Sequence, residues 1–426
     1  MSDAQVIKLF PSNLNGKIKS PPSKSLSHRA LICASLSKGK SIIKNISYSD
    51  DILATINALK LLGAKFEKFK NNITVTGIKK IRQPLIHIDC KESGSTLRFL
   101  IPLFSLSNKT TIFTGSSSLI NRPLSIYQTI FKKDNNIFEI NNDMVMINGS
   151  IKAREYHLKG NVSSQFFTGL MFALPLLEED STIYIDGILE SKSYIDLTIS
   201  VLEEFGVKIL ELENGYFIEG SQTYIPTTYT IEGDYSQAAF PLVGGVLSGL
   251  VTVSDLYPTS KQGDKIIIEY LKQMKSKIIY MENGFIAEFS KTSGTTIDLL
   301  DCPDLGPIIT LLACLSDGES KIINISRLRI KESDRVFSIV STLKALGANI
   351  ITTDSKIVIK GKSILKGGVT VDSFNDHRIA MMLSIAALRC ENPIILTNAN
   401  AITKSYPNFF EDYKSLGGKL KIIKDW

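Results

Sequence analysis

Six stretches of this 426-residue chain recur at a fixed spacing, and that period restricts the fold more than any other feature. Each begins with a cluster of polar residues and continues as a run of small and apolar ones. They start near Lys24, Gly94, Ser163, Tyr235, Asp304 and Asp376, at intervals of 69 to 72 residues. Their bodies, such as Phe166 to Leu177 and Ile379 to Leu388, are apolar nearly all round, as helices buried on every side must be. A strand-like run follows each, for example Thr111-Ile112-Phe113 and Lys321-Ile322-Ile323. An amphipathic helix comes next, as in Asp50 to Leu62 and Ser333 to Leu346, and several end in glycine, at Gly63, Gly206, Gly347 and Gly417. Two short strands joined by a tight turn close the unit, as in Lys65 to Phe69 and Ile73 to Thr76 around Asn71-Asn72.

Copies of one supersecondary unit must bury faces against one another, and six of this size exceed one core, so three and three is the natural division. The expected fold is α/β (α+β): two hinge-connected domains, each of three βαβαββ units. The first complete unit starts near residue 21 and the fourth near residue 233. One strand-like run, Gln5 to Phe10, precedes them and is expected to complete the last unit. The expected domains are therefore 21–232 and a discontinuous 1–20 plus 233–426, with two chain crossings that act as a hinge.

A net charge of +7 suits anionic small substrates. Basic residues are not interleaved with aromatics and there is no basic tail, which argues against nucleic acid as the partner. No apolar run is long enough for a bilayer, and the N-terminus lacks the pattern of a secretory signal, so a cytoplasmic protein is expected. The five cysteines and four histidines are scattered without metal-ligand spacing, so neither a metal site nor disulfides are expected.

Polar residues concentrate where the helices start. After Pro21 and Pro22, Ser23 is placed to cap a helix whose first turns carry Lys24, Ser25 and Arg29. Cations at a helix N-terminus make an anion site. Glu92-Ser93-Gly94-Ser95-Thr96-Leu97-Arg98 opens the second buried helix, with Gly94 allowing close approach of a ligand to backbone. Asn121-Arg122-Pro123 is expected to open an amphipathic helix with proline at its first position. Ser163-Ser164-Gln165 has the composition of a phosphate cradle, and Ser191 and Tyr194 precede another amphipathic helix. Asp304 supplies a carboxylate. Lys331-Glu332-Ser333-Asp334-Arg335 places an acid between two cations. Asn375-Asp376-His377-Arg378 sets four polar residues directly before a wholly apolar helix, and Lys404 precedes a last helix expected from Pro407. Each motif alone has a plain explanation as a cap, a turn or a solvated face; for Arg378 it is a salt bridge to Asp376 or another acid.

Taken together the motifs resemble the EPSP synthase family of enolpyruvyl transferases. The segments 22–29, 94–98, 121–123, 163–166, 191–196, 331–335 and 375–378, and Lys404 before Tyr406-Pro407, stand in the family's order along nearly the whole chain. The resemblance implies two domains in an inside-out α/β arrangement, with the active site in a closing cleft. It also implies transfer of the enolpyruvyl group of phosphoenolpyruvate to the 5-hydroxyl of shikimate 3-phosphate, with phosphate released and neither metal nor organic cofactor. Lys24, Gly94, Arg122, Gln165, Arg335, Arg378 and Lys404 are implied to hold phosphoenolpyruvate. Lys24, Ser25, Arg29, Ser163, Ser164, Gln165, Ser191, Tyr194, Asp304 and Lys331 are implied to hold shikimate 3-phosphate. Asp304 would act as base, Glu332 with Lys24 as acid, and Arg98 would be structural or electrostatic. A monomer is implied.

Some residues depart from the pattern. Glu92 stands where many relatives have Asn, and Arg327 and Leu328 where some have a polar amide. A sister transferase acting on UDP-N-acetylglucosamine shares the fold but uses a reactive cysteine in the loop that here reads Gly115 to Asn121, without cysteine.

Overall fold

The computed structural model describes residues 5–79, 81, 86–141 and 143–424. One unit shows how the sequence pattern becomes structure. The strand Ile86–Asp89 leads into the buried helix Gly94–Ser105, which returns the chain to Thr111–Thr114, paired parallel to the first strand. After the amphipathic helix Ser125–Lys133, the hairpin Ile137–Asn141 and Met144–Asn148 adds two antiparallel strands, Met144–Asn148 beside Thr111–Thr114. The sheet order is thus entry strand, post-helix strand, last strand, third strand. Among the described residues the same order recurs in six four-stranded sheets. In the strands flanked by both neighbours, buried and half-exposed residues alternate, as in Met144–Asn148 and Lys356–Lys360. Gly63, Gly206, Gly347 and Gly417 all have positive φ at helix ends, where a side chain would be strained.

Two compact units result: Met1–Pro21 with Gly233–Trp426, and Pro22–Glu232. Each has its own apolar core. In the first, the helices Tyr235–Ser248, Gly306–Cys314 and His377–Ala387 pack pairwise, and every side chain of all three is buried. In the second, Gly94–Ser105 and Ser164–Ala173 pack closely. A Cβ at Gly169 would stand 2.5 Å from the Arg98 carbonyl oxygen and 2.3 Å from the Tyr127 hydroxyl, so only glycine permits that approach. Among the described residues no helix is long and apolar enough to cross a membrane. All five cysteines are buried and unpaired.

The N-terminal segment differs from expectation. Val6–Phe10 does complete the last sheet, between Ile394–Thr397 and Lys419–Lys424. A second strand, Asn15–Lys19, pairs parallel with Leu250–Ser254 and is the entry strand of the fourth sheet. Thr228–Thr230, just before the chain returns, is the entry strand of the first sheet, beside Lys40–Lys44. The two entry strands are therefore exchanged: each is followed in sequence by the core helix of the other unit. Asn15–Lys19 escapes sequence reading because only Ile18 is buried in it.

Helix starts also shift. Ser191 directly precedes the helix Lys192–Glu204, but Tyr194 lies in its first turn rather than before it. Pro123 does not open the helix after Asn121-Arg122; a short turn, Ser117–Ile120, comes first, and the helix begins at Ser125. The fifth amphipathic helix begins at Arg335 with Asp334 as its cap, accepting from the Phe337 N–H at 3.0 Å. The last begins at Phe409, not Pro407, and Lys404 ends a 3₁₀ turn, Ala399–Lys404.

Candidate active site

In Pro22–Glu232 the polar residues gather at the N-terminal ends of the core helices. Ser23 caps Lys24–Leu36 by accepting from the Leu26 N–H at 3.4 Å. Lys24 Nζ pairs with Asp51 Oδ2 at 2.7 Å. Arg29 is buried and spread over three partners: Nε donates to Thr198 Oγ1 at 2.9 Å, and the Nη atoms to the carbonyls of Ser25 at 2.8 Å and Tyr194 at 3.0 Å. Burial lowers its pKa to about 10, against weaker opposing effects of Tyr194, Cys33 and Tyr229, so it stays a cation at neutral pH. The first helix is thereby tied to Tyr194 and Thr198 of the helix Lys192–Glu204. Ser191 itself is buried with φ of 59°, a left-handed conformation rare for serine, and its carbonyl accepts from the Tyr194 N–H at 3.1 Å.

The second cluster surrounds Gly94. Ser93 caps its helix, Arg98 Nη1 donates to Gln165 Oε1 at 2.8 Å, and Gln165 Nε2 donates to Ser95 Oγ at 3.0 Å. A Cβ at Gly94 would lie 3.1 Å from Arg122 Nη1, so that guanidinium rests against bare backbone. Arg122 is buried, and its Nε and Nη2 have no hydrogen-bond partner among the described residues. Buried charged donors without acceptors are costly, and an anion set against them would supply the missing acceptors. Ser163 caps Ser164–Ala173, accepting from the Gln165 N–H at 3.3 Å, and Ser164 is buried in its first turn. Glu92 is half-buried immediately before Ser93.

In the other unit one carboxylate gathers three cations. Asp304 Oδ1 accepts from Lys331 Nζ at 3.2 Å and Arg335 Nη1 at 2.9 Å, and Oδ2 from Arg378 Nη2 at 2.9 Å. Burial pushes the Asp304 pKa up, but Arg378, Lys331 and Arg335 outweigh it and hold the carboxyl well below its ordinary value. Lys331 is lowered by burial and by Arg327 and Arg335, against the pull of Asp304 and Glu332. Arg335 is fully buried, with Nε 2.8 Å from Asp376 Oδ2 and Nη2 2.5 Å from Glu332 Oε2. Burial disfavours its charge, yet Asp376, Glu332 and Asp304 more than compensate and raise its pKa. Arg378 also donates to Ser236 Oγ at 3.0 Å. Lys404 Nζ donates to the Asn375 carbonyl. Arg327 and Leu328 lie buried in the 3₁₀ turn Ser326–Ile330.

Asp304, Glu332, Lys331, Arg335 and Arg378 thus meet in one array, and Gly94, Arg98, Arg122 and Gln165 in another. The Arg378 side chain pairs with Asp304; it is Arg335 that takes Asp376. Asp51, Thr198 and Ser236 escaped the sequence reading. Asp51 left one signal, an acidic pair at a helix start, which a cap explains equally well.

The chain is similar to known proteins over nearly its whole length. A family model described as EPSP synthase (3-phosphoshikimate 1-carboxyvinyltransferase) matches residues 10–413. Proteins named 3-phosphoshikimate 1-carboxyvinyltransferase from Clostridium novyi and Clostridioides difficile are 46% and 45% identical, covering 99% and 97% of this chain and 98% of each relative. The structure of EPSP synthase from Acinetobacter baumannii superposes with a TM-score of 0.80 at 24% identity, over 99% of this chain and 100% of that one. The enolpyruvyl transferase NikO from Streptomyces tendae has the same fold, with a TM-score of 0.79 at 14% identity, over 99% of each chain. With a family model spanning nearly its whole length and relatives approaching half identity, the chain belongs to the EPSP synthase family.

Proposed function

We propose that the two arrays carry out the family's reaction, transfer of an enolpyruvyl group in the shikimate pathway. The observation that carries this reading is Asp304 gripped by Lys331, Arg335 and Arg378, an acid–base group set among anion clamps. In this reading the 5-hydroxyl of shikimate 3-phosphate adds to C2 of phosphoenolpyruvate while a proton goes to its methylene carbon. Loss of that proton and of phosphate from the tetrahedral adduct then gives the enolpyruvyl ether. Asp304 takes the hydroxyl proton, and Glu332 with Lys24 protonates the methylene. Arg122, Arg335, Arg378, Lys404, Lys24, Gly94 and Gln165 hold phosphoenolpyruvate. Ser25, Arg29, Ser163, Ser164, Ser191, Tyr194 and Lys331 hold shikimate 3-phosphate with Lys24, Gln165 and Asp304, which makes residues 21–232 the domain on that substrate's side. Arg98 is a positioning residue, since its guanidinium fixes the Gln165 amide.

The deep depression of the Asp304 pKa fits a base that is released on demand. Anionic substrates compete for Arg378, Lys331 and Arg335, and each cation withdrawn makes the carboxylate more basic. No cofactor enters the scheme. We further propose that the protein works as a cytoplasmic monomer. The test is phosphate release from phosphoenolpyruvate by the purified protein. Release that requires shikimate 3-phosphate is expected; release driven instead by UDP-N-acetylglucosamine would move the chain to the sister activity.

A further inference from the structure

A buried chain of polar side chains in Pro22–Glu232 is not used by the scheme above. It runs from His28 on the helix Lys24–Leu36, through Thr55 on Asp50–Leu62, to Thr96 and Ser93 at the start of Gly94–Ser105. His28 Nδ1 lies 2.8 Å from Thr55 Oγ1, Thr55 Oγ1 lies 2.7 Å from Thr96 Oγ1, and Thr96 Oγ1 donates to Ser93 Oγ at 2.7 Å. All four residues are at most 1% exposed.

The direction of the chain follows from counting protons. Each hydroxyl has one to give. Thr96 gives its proton to Ser93, so it must accept from Thr55. Thr55, having given its own, must accept from His28. His28 is therefore the tautomer with hydrogen on Nδ1, and its Nε2, which has no partner among the described residues, carries a lone pair. That arrangement needs a neutral imidazole, since protonation would create a buried N–H with no acceptor among the described residues. Burial and the nearby Lys24 and Arg29 all favour the neutral form.

The far end of the chain is the turn that carries Gly94. Ser93 Oγ also accepts from the Thr96 N–H at 3.1 Å, so the chain fixes the helix cap. The next residue, Gly94, abuts Arg122. We infer that His28 is a positioning residue for phosphoenolpyruvate, acting through Thr55, Thr96 and Ser93 to hold the Gly94 turn against Arg122. The inference rests on Arg122 and Gly94 belonging to the phosphoenolpyruvate site.

The test compares Thr55→Val, which keeps shape and loses the hydroxyl, with Thr55→Ser, which keeps it; His28→Leu and His28→Asn form the parallel pair. Thr55→Val and His28→Leu should each raise the KM for phosphoenolpyruvate about tenfold, as loss of a buried hydrogen bond does, and leave that for shikimate 3-phosphate within about twofold. Thr55→Ser and His28→Asn should restore the wild-type value. The double variant His28→Leu with Thr55→Val should be no worse than either single one, because one broken link already opens the chain. Equal rises for both substrates, no rise, or strictly additive effects would overturn the inference. Amide exchange over residues 93–98 reads the same question without turnover. It should quicken in Thr55→Val and recover in Thr55→Ser, and unchanged exchange would also overturn the inference. A wild-type protein inactive with shikimate 3-phosphate would instead sink the assigned reaction, and the exchange comparison would still decide the role of the chain.

Discussion

Asp304 and His28 illustrate how burial acts in opposite ways on two titrating groups. The Asp304 carboxyl is held ionised by Arg378, Lys331 and Arg335 despite its burial. Its depressed pKa contributes stability that is complete above the unfolded value of about 3.9 and is lost as pH falls through the folded value. His28 is also depressed, but here the folded protein refuses a proton that the unfolded chain accepts below about 6.5. Stability from that source therefore falls as pH drops from about 6.5. The melting temperature of the wild type should decline from pH 7 to 5, and His28→Asn should flatten that decline without altering the drop at lower pH. Asp304→Asn should lower kcat by roughly 10²–10⁴ if the carboxylate is the base; phosphate release at the wild-type rate would remove it from that role. At Gly94, alanine would place a methyl group 3.1 Å from Arg122 Nη1. It should raise the KM for phosphoenolpyruvate several-fold, seen in initial rates at fixed shikimate 3-phosphate.

At the scale of elements, the helix His377–Ala387 separates two jobs of one residue. Asp376 caps it, accepting from the Arg378 N–H at 2.9 Å, and also balances the buried Arg335. Asparagine keeps the cap and removes the charge. Asp376→Asn should therefore cost about 3–5 kcal/mol in urea unfolding, the range for a broken buried ion pair, where a lost cap alone costs about 1 kcal/mol. A loss below about 1 kcal/mol, less than even a lost cap costs, would mean Arg335 is satisfied by Glu332 and Asp304. The contrast shows what a sequence can reveal. The core helices were legible because they are apolar all round and start with a capping residue, as at Ser23, Ser163 and Asp376. Asn15–Lys19 was not, since a strand with one buried residue has no alternation to read. Which acid Arg335 and Arg378 choose was equally hidden. Asp304 and Asp376 are both near helix starts, and only packing decides that Arg378 reaches the first and Arg335 both.

For the whole molecule, every one of the six four-stranded sheets is completed inside its own unit, because the entry strands Asn15–Lys19 and Thr228–Thr230 are exchanged. The segment 22–232 thus contains all strands of its three sheets and its own core. Expressed alone it should unfold cooperatively in denaturant; a gradual, non-cooperative loss of circular dichroism would refute its independence. The rest of the chain is in a different position during synthesis. Asn15–Lys19 leaves the ribosome long before its partner Leu250–Ser254, roughly 235 residues later, a wait of about ten to fifty seconds at ordinary translation rates. Val6–Phe10 waits longer still, for Ile394–Thr397 and Lys419–Lys424. A nascent chain of this design carries two orphan strands ahead of an entire body that forms behind them, and the sheets they belong to can close only after their mates have emerged.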